Sequence, residues 1–398
     1  MPTPTTRLAR SSALVTILAL AGLSLIAIST TKSSALRARV PDAYYWIPSL
    51  QSLPFSSSDN SDASLTRVSE ANVDVSAIQS PLARRKANAT IVMLARNSDV
   101  DGVVQSVRDM EDRFNRWHGY PWTFLNDEVF SEDFKRRVSN LISSPVEFGT
   151  VPREHWVQPD WIDETRASAS RDQMKQENVI YGDSLSYRNM CRFNSGFFFR
   201  HPLLQKYRYY WRVEPDVHFH CDTRFDPFLF MADNSKTYGF TITMYEFART
   251  IETLWDAVKE FSRLHPEHLA PDNALRFLSD DGGQTYNLCH FWSNFEIADM
   301  DLWRSPAYME FFEFLDKKGG FYYERWGDAP VHSIAAALFS KREQIHFFRE
   351  IGYEHNPYMH CPAEEDLWER GRCSCKPQQS FDYNGYSCLA KWDAVAAR

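Results

Sequence analysis

Two carboxylates separated by one proline, Glu214-Pro215-Asp216, interrupt an aromatic, β-prone run, YYWRVEPDVHFHCD, from Tyr209 to Asp222. Pro215 fixes its own φ and holds Val213-Glu214 extended, so the strand stops there and its carboxylates project off the sheet edge. Oxygen ligands so placed suit a hard cation that bridges protein and diphosphate. The bare triplet is equally ordinary turn chemistry, and its meaning depends on its surroundings. A second carboxylate, Glu296 in WSNFEIADMD, reads in isolation as a helix-surface glutamate, although Phe291, Trp292 and Phe295 would desolvate it and lengthen its electrostatic reach. A third carboxylate is Asp328 in WGDAPVHS, which precedes Ala329-Pro330 and reads as a helix N-cap.

The elements that must carry these residues alternate. TIVMLARN, beginning at Thr90, fits a buried strand; NSDVDG follows, with Asn97, Ser98 or Asp99 as caps. Next comes a helix with Val103, Val104, Val107, Met110, Phe114 and Trp117 on one stripe. Arg96 closes the first strand, where open sheets make nucleotide contacts, and its guanidinium suits phosphate as well as an exposed ion pair. Further strands are expected at Trp122–Leu125, Tyr209–Val213 and Tyr238–Met244, and helices at Ile251–Phe261, Pro306–Asp316 and Asp328–Phe339. This alternation predicts an α/β fold, a sheet covered by helices in a single catalytic domain. Neither G-x-G-x-x-G nor G-x-x-x-x-G-K-[ST] occurs, so phosphate recognition must come from metal, side chains and other loops.

Four other segments accompany the triplet: YPWTFLNDEVFSEDF (Tyr120 to Phe134), YNLCHFWSNFEIADMDLWRS (Tyr286 to Ser305), GGFYYERWGDAPVHSIAAALF (Gly319 to Phe339) and HFFREIGYEHNPYMHCP (His346 to Pro362). In this order they closely resemble the fungal Golgi α-1,2-mannosyltransferases of glycosyltransferase family 15, from Ala87 to Leu389. The resemblance implies a GT-A fold, a Rossmann-like mixed sheet flanked by helices. It implies GDP-mannose as donor, a mannosylated glycoprotein or glycolipid as acceptor, and retention at the anomeric carbon. It makes Glu214 a metal ligand, completed by His355 in GYEHNPY, and mixed carboxylate and imidazole ligation suits Mn2+. Asp216 would ligate through water or brace the turn, and Tyr187 in SLSYRNMCRFNSGFF would face the donor, with Arg96 as a guanosine or phosphate contact. Glu296 would be nucleophile or front-face carboxylate, and Asp328 an acceptor or base residue; His332, on the helix that Asp328 opens, reads as structural. A transferase of different donor or linkage is one alternative, and a silent mannan-binding module is another.

The rest of the chain places this chemistry. Its 398 residues carry a formal charge of −8, against a partner whose main feature is a nucleic-acid backbone. Residues 1–10 read as a short cytoplasmic tail, and 11–30, SSALVTILALAGLSLIAIST, as an uncharged span long enough for an uncleaved signal anchor rather than a cleaved signal peptide. Residues 31–86, with SSSDNSDAS, read as a flexible stem, and 87–398 as the catalytic domain with a Cys-rich tail. With this span, the resemblance to Golgi enzymes implies a single-pass type II membrane protein of the Golgi, with its catalytic domain lumenal. Of the seven cysteines, Cys361, Cys373, Cys375 and Cys388 crowd the tail; disulfides fit better than a zinc cluster, because Cys-Ser-Cys lacks the paired C-x2-C spacing. An odd total leaves at least one thiol free or shared between chains. The sequon Asn88-Ala89-Thr90 fits the same compartment.

Overall fold

The computed structural model describes residues 85–397; the expected cytoplasmic tail, signal anchor and nearly all of the stem lie outside the described residues. Among the described residues no helix is long and apolar enough to cross a membrane. A seven-stranded sheet runs in the order β10-β6-β9-β4-β1-β2-β3. Its strands are β1 (Ala89–Leu94), β2 (Trp122–Asn126), β3 (Val146–Thr150), β4 (Tyr209–Arg212), β6 (Tyr238–Phe240), β9 (Glu296–Asp299) and β10 (Ile345–Phe347). All pairs are parallel except those of β9, which runs against both β4 and β6. The reversal matters for function: the first residue of β9, Glu296, pairs with the last residue of β4, Arg212. Both therefore lie at the carboxyl edge of the parallel strands, where open α/β sheets bind ligands.

Both faces of the sheet are covered, as strands with almost continuous apolar sequence require. Ile91, Met93, Tyr209, Trp211 and Ile297 enter one core, whereas Val92, Tyr210 and Ala298 enter the other. The period of two puts Arg212 on the face of Tyr210 and Glu296 on the face of Ala298. Helices Leu185–Gly196, Pro306–Lys318 and Asp328–Phe339 bury their apolar residues in the same core as Tyr210.

Two smaller sheets complete the architecture. One has the order β12 (Tyr358–His360), β11 (Tyr353–His355), β5 (Val217–Phe219), and the other pairs β7 (Thr243–Tyr245) with β8 (Cys289–Phe291). The strand expected over Tyr238–Met244 is thus two, because the chain leaves the main sheet after Phe240 to pair with β8. The expected helical stripe after β1 holds through Phe114. A π turn at Glu111–Asn115 then inserts one residue, and His118 is buried where Trp117 was expected to be. That turn leaves Glu111 buried, where it accepts from Asn115 Nδ2 at 2.6 Å and Trp122 Nε1 at 2.8 Å.

All four tail cysteines are in disulfides: Cys361–Cys375 closes the tail on itself, while Cys221–Cys373 and Cys289–Cys388 fasten it to the body. Cys191 is the free thiol, buried in the helix Leu185–Gly196. Just ahead of Ala87, Arg85 pairs with Asp233 and Lys86 Nζ donates to the Gly119 carbonyl at 3.0 Å.

Candidate active site

At the carboxyl edge lies a cavity of about 460 Å3, walled by Tyr187, Arg212, Glu214, Trp292, Asp328 and His355 among others. That volume suits a ligand of nucleotide size. Short strands explain how distant residues meet there. Three residues after Glu214, the chain turns into β5, whose Val217 pairs with His355 at the end of β11. The two expected metal ligands, 141 residues apart as 355 minus 214, are thereby brought to one wall. The His355 ring stacks on Trp292, with centroids 5.3 Å apart, and its Nδ1 meets the Asn294 side-chain amide nitrogen. Asn294 Oδ1 is buried without a partner.

Arg212 organises the edge. Its Nη2 and Nε donate to Glu214 Oε1 at 2.5 and 3.0 Å, and its Nη1 donates to Asp328 Oδ2 at 2.6 Å. The same Nη1 lies 4.0 Å from Glu296 Oε1. Burial works against a charged guanidinium, yet Glu214, Asp328 and Glu296 outweigh it and hold the pKa of Arg212 well above its ordinary value. Asp328 shows the converse. Burial pushes its pKa up, but Arg212, His332 and the hydroxyl of Ser293, which donates at 2.9 Å, bring it below the usual carboxylate range. Asp328 is not the N-cap expected from sequence: Gly327 occupies that position and Asp328 is the first helical residue, its carboxylate committed to Arg212 and Ser293.

Glu296 occupies a different environment. It is fully buried and borders a small cavity of about 20 Å3 that shares Arg212 with the large one, without itself lining the latter. Tyr210 donates to Oε1 at 2.7 Å, and Tyr238 and His332 Nδ1 approach Oε2 at 3.1 Å each. His332 Nε2 faces the Asn194 carbonyl at 3.1 Å, so both ring nitrogens meet acceptors and the ring is locked in place. His332, expected to be structural, thus bears directly on Glu296.

Tyr187 reaches the cavity because Ser184 caps its helix, accepting from the Tyr187 backbone N–H at 3.1 Å. Its ring stacks on Tyr181 at 4.6 Å, and Arg325 lies 5.1 Å over it. Two expected residues are not brought to the cavity wall. Arg96 is exposed and donates to Ser186 Oγ at 2.6 Å, one residue from Tyr187. Asp216, at φ 59°, lies against the helix Val100–Met110, so close to Gly102 that a Cβ there would come within 2.4 Å of its carboxylate. Sequence reading missed Arg212, Ser293 and Asn294. The only signal for Arg212 is a cation inside an otherwise aromatic strand, two residues before the acidic triplet.

Comparison with known proteins gives the family. A family model described as glycolipid 2-alpha-mannosyltransferase matches residues 55–397. Glycolipid 2-alpha-mannosyltransferase 2 of Candida albicans is 52% identical over 312 residues, covering 78% of this chain and 68% of the relative. The crystal structure of the mannosyltransferase Ktr4p from S. cerevisiae in complex with GDP is 43% identical, with TM-score 0.75 over 78% of this chain and 82% of that one. Core-mannan synthase A of Aspergillus fumigatus, in a Mn/GDP form, is 40% identical, with TM-score 0.74 over 80% of this chain and 87% of that one. The mixed sheet, with two carboxylates, an arginine and a histidine round a cavity at its carboxyl edge, is that of a glycosyltransferase: the chain belongs to glycosyltransferase family 15, the glycolipid 2-alpha-mannosyltransferase family.

Proposed function

We infer that this enzyme transfers mannose from GDP-mannose to the 2-hydroxyl of a mannose on an O-linked or N-linked glycan or a glycolipid, with retention at the anomeric carbon, on a GT-A framework. The observation that carries the reading is the convergence of Glu214, His355, Arg212 and Asp328 on one nucleotide-sized cavity. Glu214 and His355 would hold Mn2+. The donor set fits: an anionic oxygen and an imidazole, with the Asn294 amide against the ring; turned about, that amide would offer its unpartnered Oδ1 to Nδ1–H, the acceptor that a ligating histidine needs for its other N–H. When bound, the ion supplies charge neutralisation to the departing diphosphate. The GDP complexes of the two structural relatives support the same donor.

The chain's own residues divide the remaining work. Arg212 orients Glu214 and Asp328 at the cavity edge and keeps Asp328 ionised. Tyr187, with Arg325 over its ring, lines the donor side, and Arg96 fixes Ser186 next to it. Asp328, held as a carboxylate, is placed to accept the proton of the acceptor hydroxyl. Glu296 stands behind Arg212, and its burial under three donors favours stabilising positive charge at the anomeric carbon over forming a bond to it. Asp216 braces the turn that presents Glu214. The setting we propose is a lumenal catalytic domain held at the Golgi membrane by residues 11–30.

The test is transfer by the purified protein from GDP-mannose to a methyl mannoside with Mn2+, with the product linkage read by NMR. An α-1,2-linked disaccharide is expected. A different linkage, or transfer from another sugar nucleotide in preference, would overturn the reading. Glu214→Ala and His355→Ala should each weaken Mn2+ activation, and the double variant should be little worse than either, because residues acting as a unit are non-additive. Losses that multiply would separate their roles.

A further inference from the structure

The C-terminal end of the helix Leu254–Leu264 runs into a short 3-10 turn, Pro266–His268, on a surface outside the cavity described above. Two imidazoles and two carboxylates gather there. His268 Nε2 lies 2.8 Å from Glu310 Oε2, on the helix Pro306–Lys318. The same oxygen lies 3.5 Å from His265 Nδ1, and Glu267 Oε1 lies 3.4 Å from that nitrogen. One ligand atom from each of His265, Glu267 and His268 falls within 4.8 Å of the others.

Hydrogen bonding accounts for only part of this arrangement. His268 to Glu310 is a hydrogen bond, but the two carboxylates facing His265 Nδ1 lie past the ordinary N–H···O range of about 2.7–3.2 Å. Ligand atoms sharing a tetrahedral ion at bonds of about 2.0–2.2 Å lie roughly 3.3–3.5 Å apart. The two contacts of His265 have that spacing. The rings are also held ready: His265 stacks on the buried Phe261 at 4.7 Å, and the two imidazoles are parallel, 6° apart, with centroids at 5.5 Å. Such stacking removes rotamer freedom that binding would otherwise have to restrict.

We propose that His265, Glu267 and His268, with Glu310 drawn in from its hydrogen bond to His268 as a fourth donor, form a divalent-metal site that takes Zn2+. Imidazole with carboxylate is a zinc donor set, and a metal so held joins the helix Leu254–Leu264 to the helix Pro306–Lys318. The site is structural, and it owes nothing to the identity of the sugar donor.

The test uses the full chain, purified in detergent, stripped of metal and equilibrated with ZnCl2 by dialysis. Wild type should bind about one equivalent more zinc than His265→Ala/His268→Ala, whatever the catalytic cavity also takes up. Zinc should raise the melting temperature of wild type more than that of the variant. Full Mn2+-dependent transfer by the variant certifies its fold; should it fail to fold, Glu310→Gln, which keeps a hydrogen bond to His268, replaces it and should weaken zinc binding at least tenfold. Crystals of wild type soaked in zinc should show an anomalous peak between His265, Glu267 and His268. Equal zinc stoichiometry and affinity in wild type and variants, or no anomalous peak at this cluster, overturns the proposal.

Discussion

On the cavity side of Arg212, Glu214 rests one oxygen on the guanidinium and keeps 26% of its side chain exposed; on the other side, Glu296 is 1% exposed and surrounded by Tyr210, Tyr238 and His332. The same arginine faces both. An open carboxylate with spare lone pairs can take a ligand, whereas one already ringed by donors is a fixed charge whose orientation costs nothing at the moment of reaction. The difference separates binding from electrostatic preorganisation within a single edge of the sheet, with Arg212 as the partition between them.

Removing the partition should have the largest effect. Arg212→Met leaves Glu214, Asp328 and Glu296 without their shared cation, and stranding buried charges in this way costs about 3–5 kcal/mol. A loss of that size in the denaturation free energy is expected, together with loss of transfer. Arg212→Lys should recover only part of both, because an ammonium cannot fork between Glu214 and Asp328 as the guanidinium does. Full recovery by lysine would show that charge alone matters and that the forked geometry does not.

The second effect distinguishes the two sides. Glu296→Gln keeps volume but removes the charge and turns one acceptor into a donor, opposing one of the three groups that point at it. Turnover should fall by about 10²-fold while GDP and Mn2+ affinity change little, the pattern of a contact made mainly in the transition state. Glu214→Gln should do the reverse and weaken Mn2+ first. If Glu296→Gln abolished GDP binding instead, both carboxylates would belong to one binding site and the distinction would fail.

How much of this could be read from the sequence follows from element length. The helix Asp328–Phe339 has the expected bounds because an acidic residue, a proline in the first turn and a long apolar run all mark it. Glu214 and His355 are joined by strands of three residues, too short for any periodicity, so only the family motifs pair them before the register of β5 and β11 does. Arg212 was overlooked because one cation in an aromatic strand looks like a solvent-facing residue; its partners, Asp328 and Glu296, are distant in sequence. The tail disulfides were legible as bonds but not as pairings, since two of the three reach back to Cys221 and Cys289 in the body. The π turn that exchanges Trp117 for His118 leaves no mark in the hydrophobic pattern ahead of it.

The smallest effect tests whether the open wall also responds to protons. His290, in β8, lines the large cavity, is 3% exposed, and its Nδ1 has no partner. Burial holds its pKa below the ordinary histidine value, with Glu246 only partly opposing. Between that depressed value and the unfolded value of about 6.5, the unfolded chain binds more protons than the folded one. The stability His290 contributes is therefore fully present above about pH 6.5 and is lost as pH falls toward its folded pKa. His155, His201 and His346 are depressed by burial too, His346 to about 4, and they add a background common to wild type and variant. His290→Gln removes one titrating group from that sum, so its melting temperature should decline less steeply than wild type between about pH 7 and about pH 5. Parallel declines would mean that protonated His290 is accommodated in the cavity, and the open side of Arg212 would then be as insensitive to acid as a solvated surface.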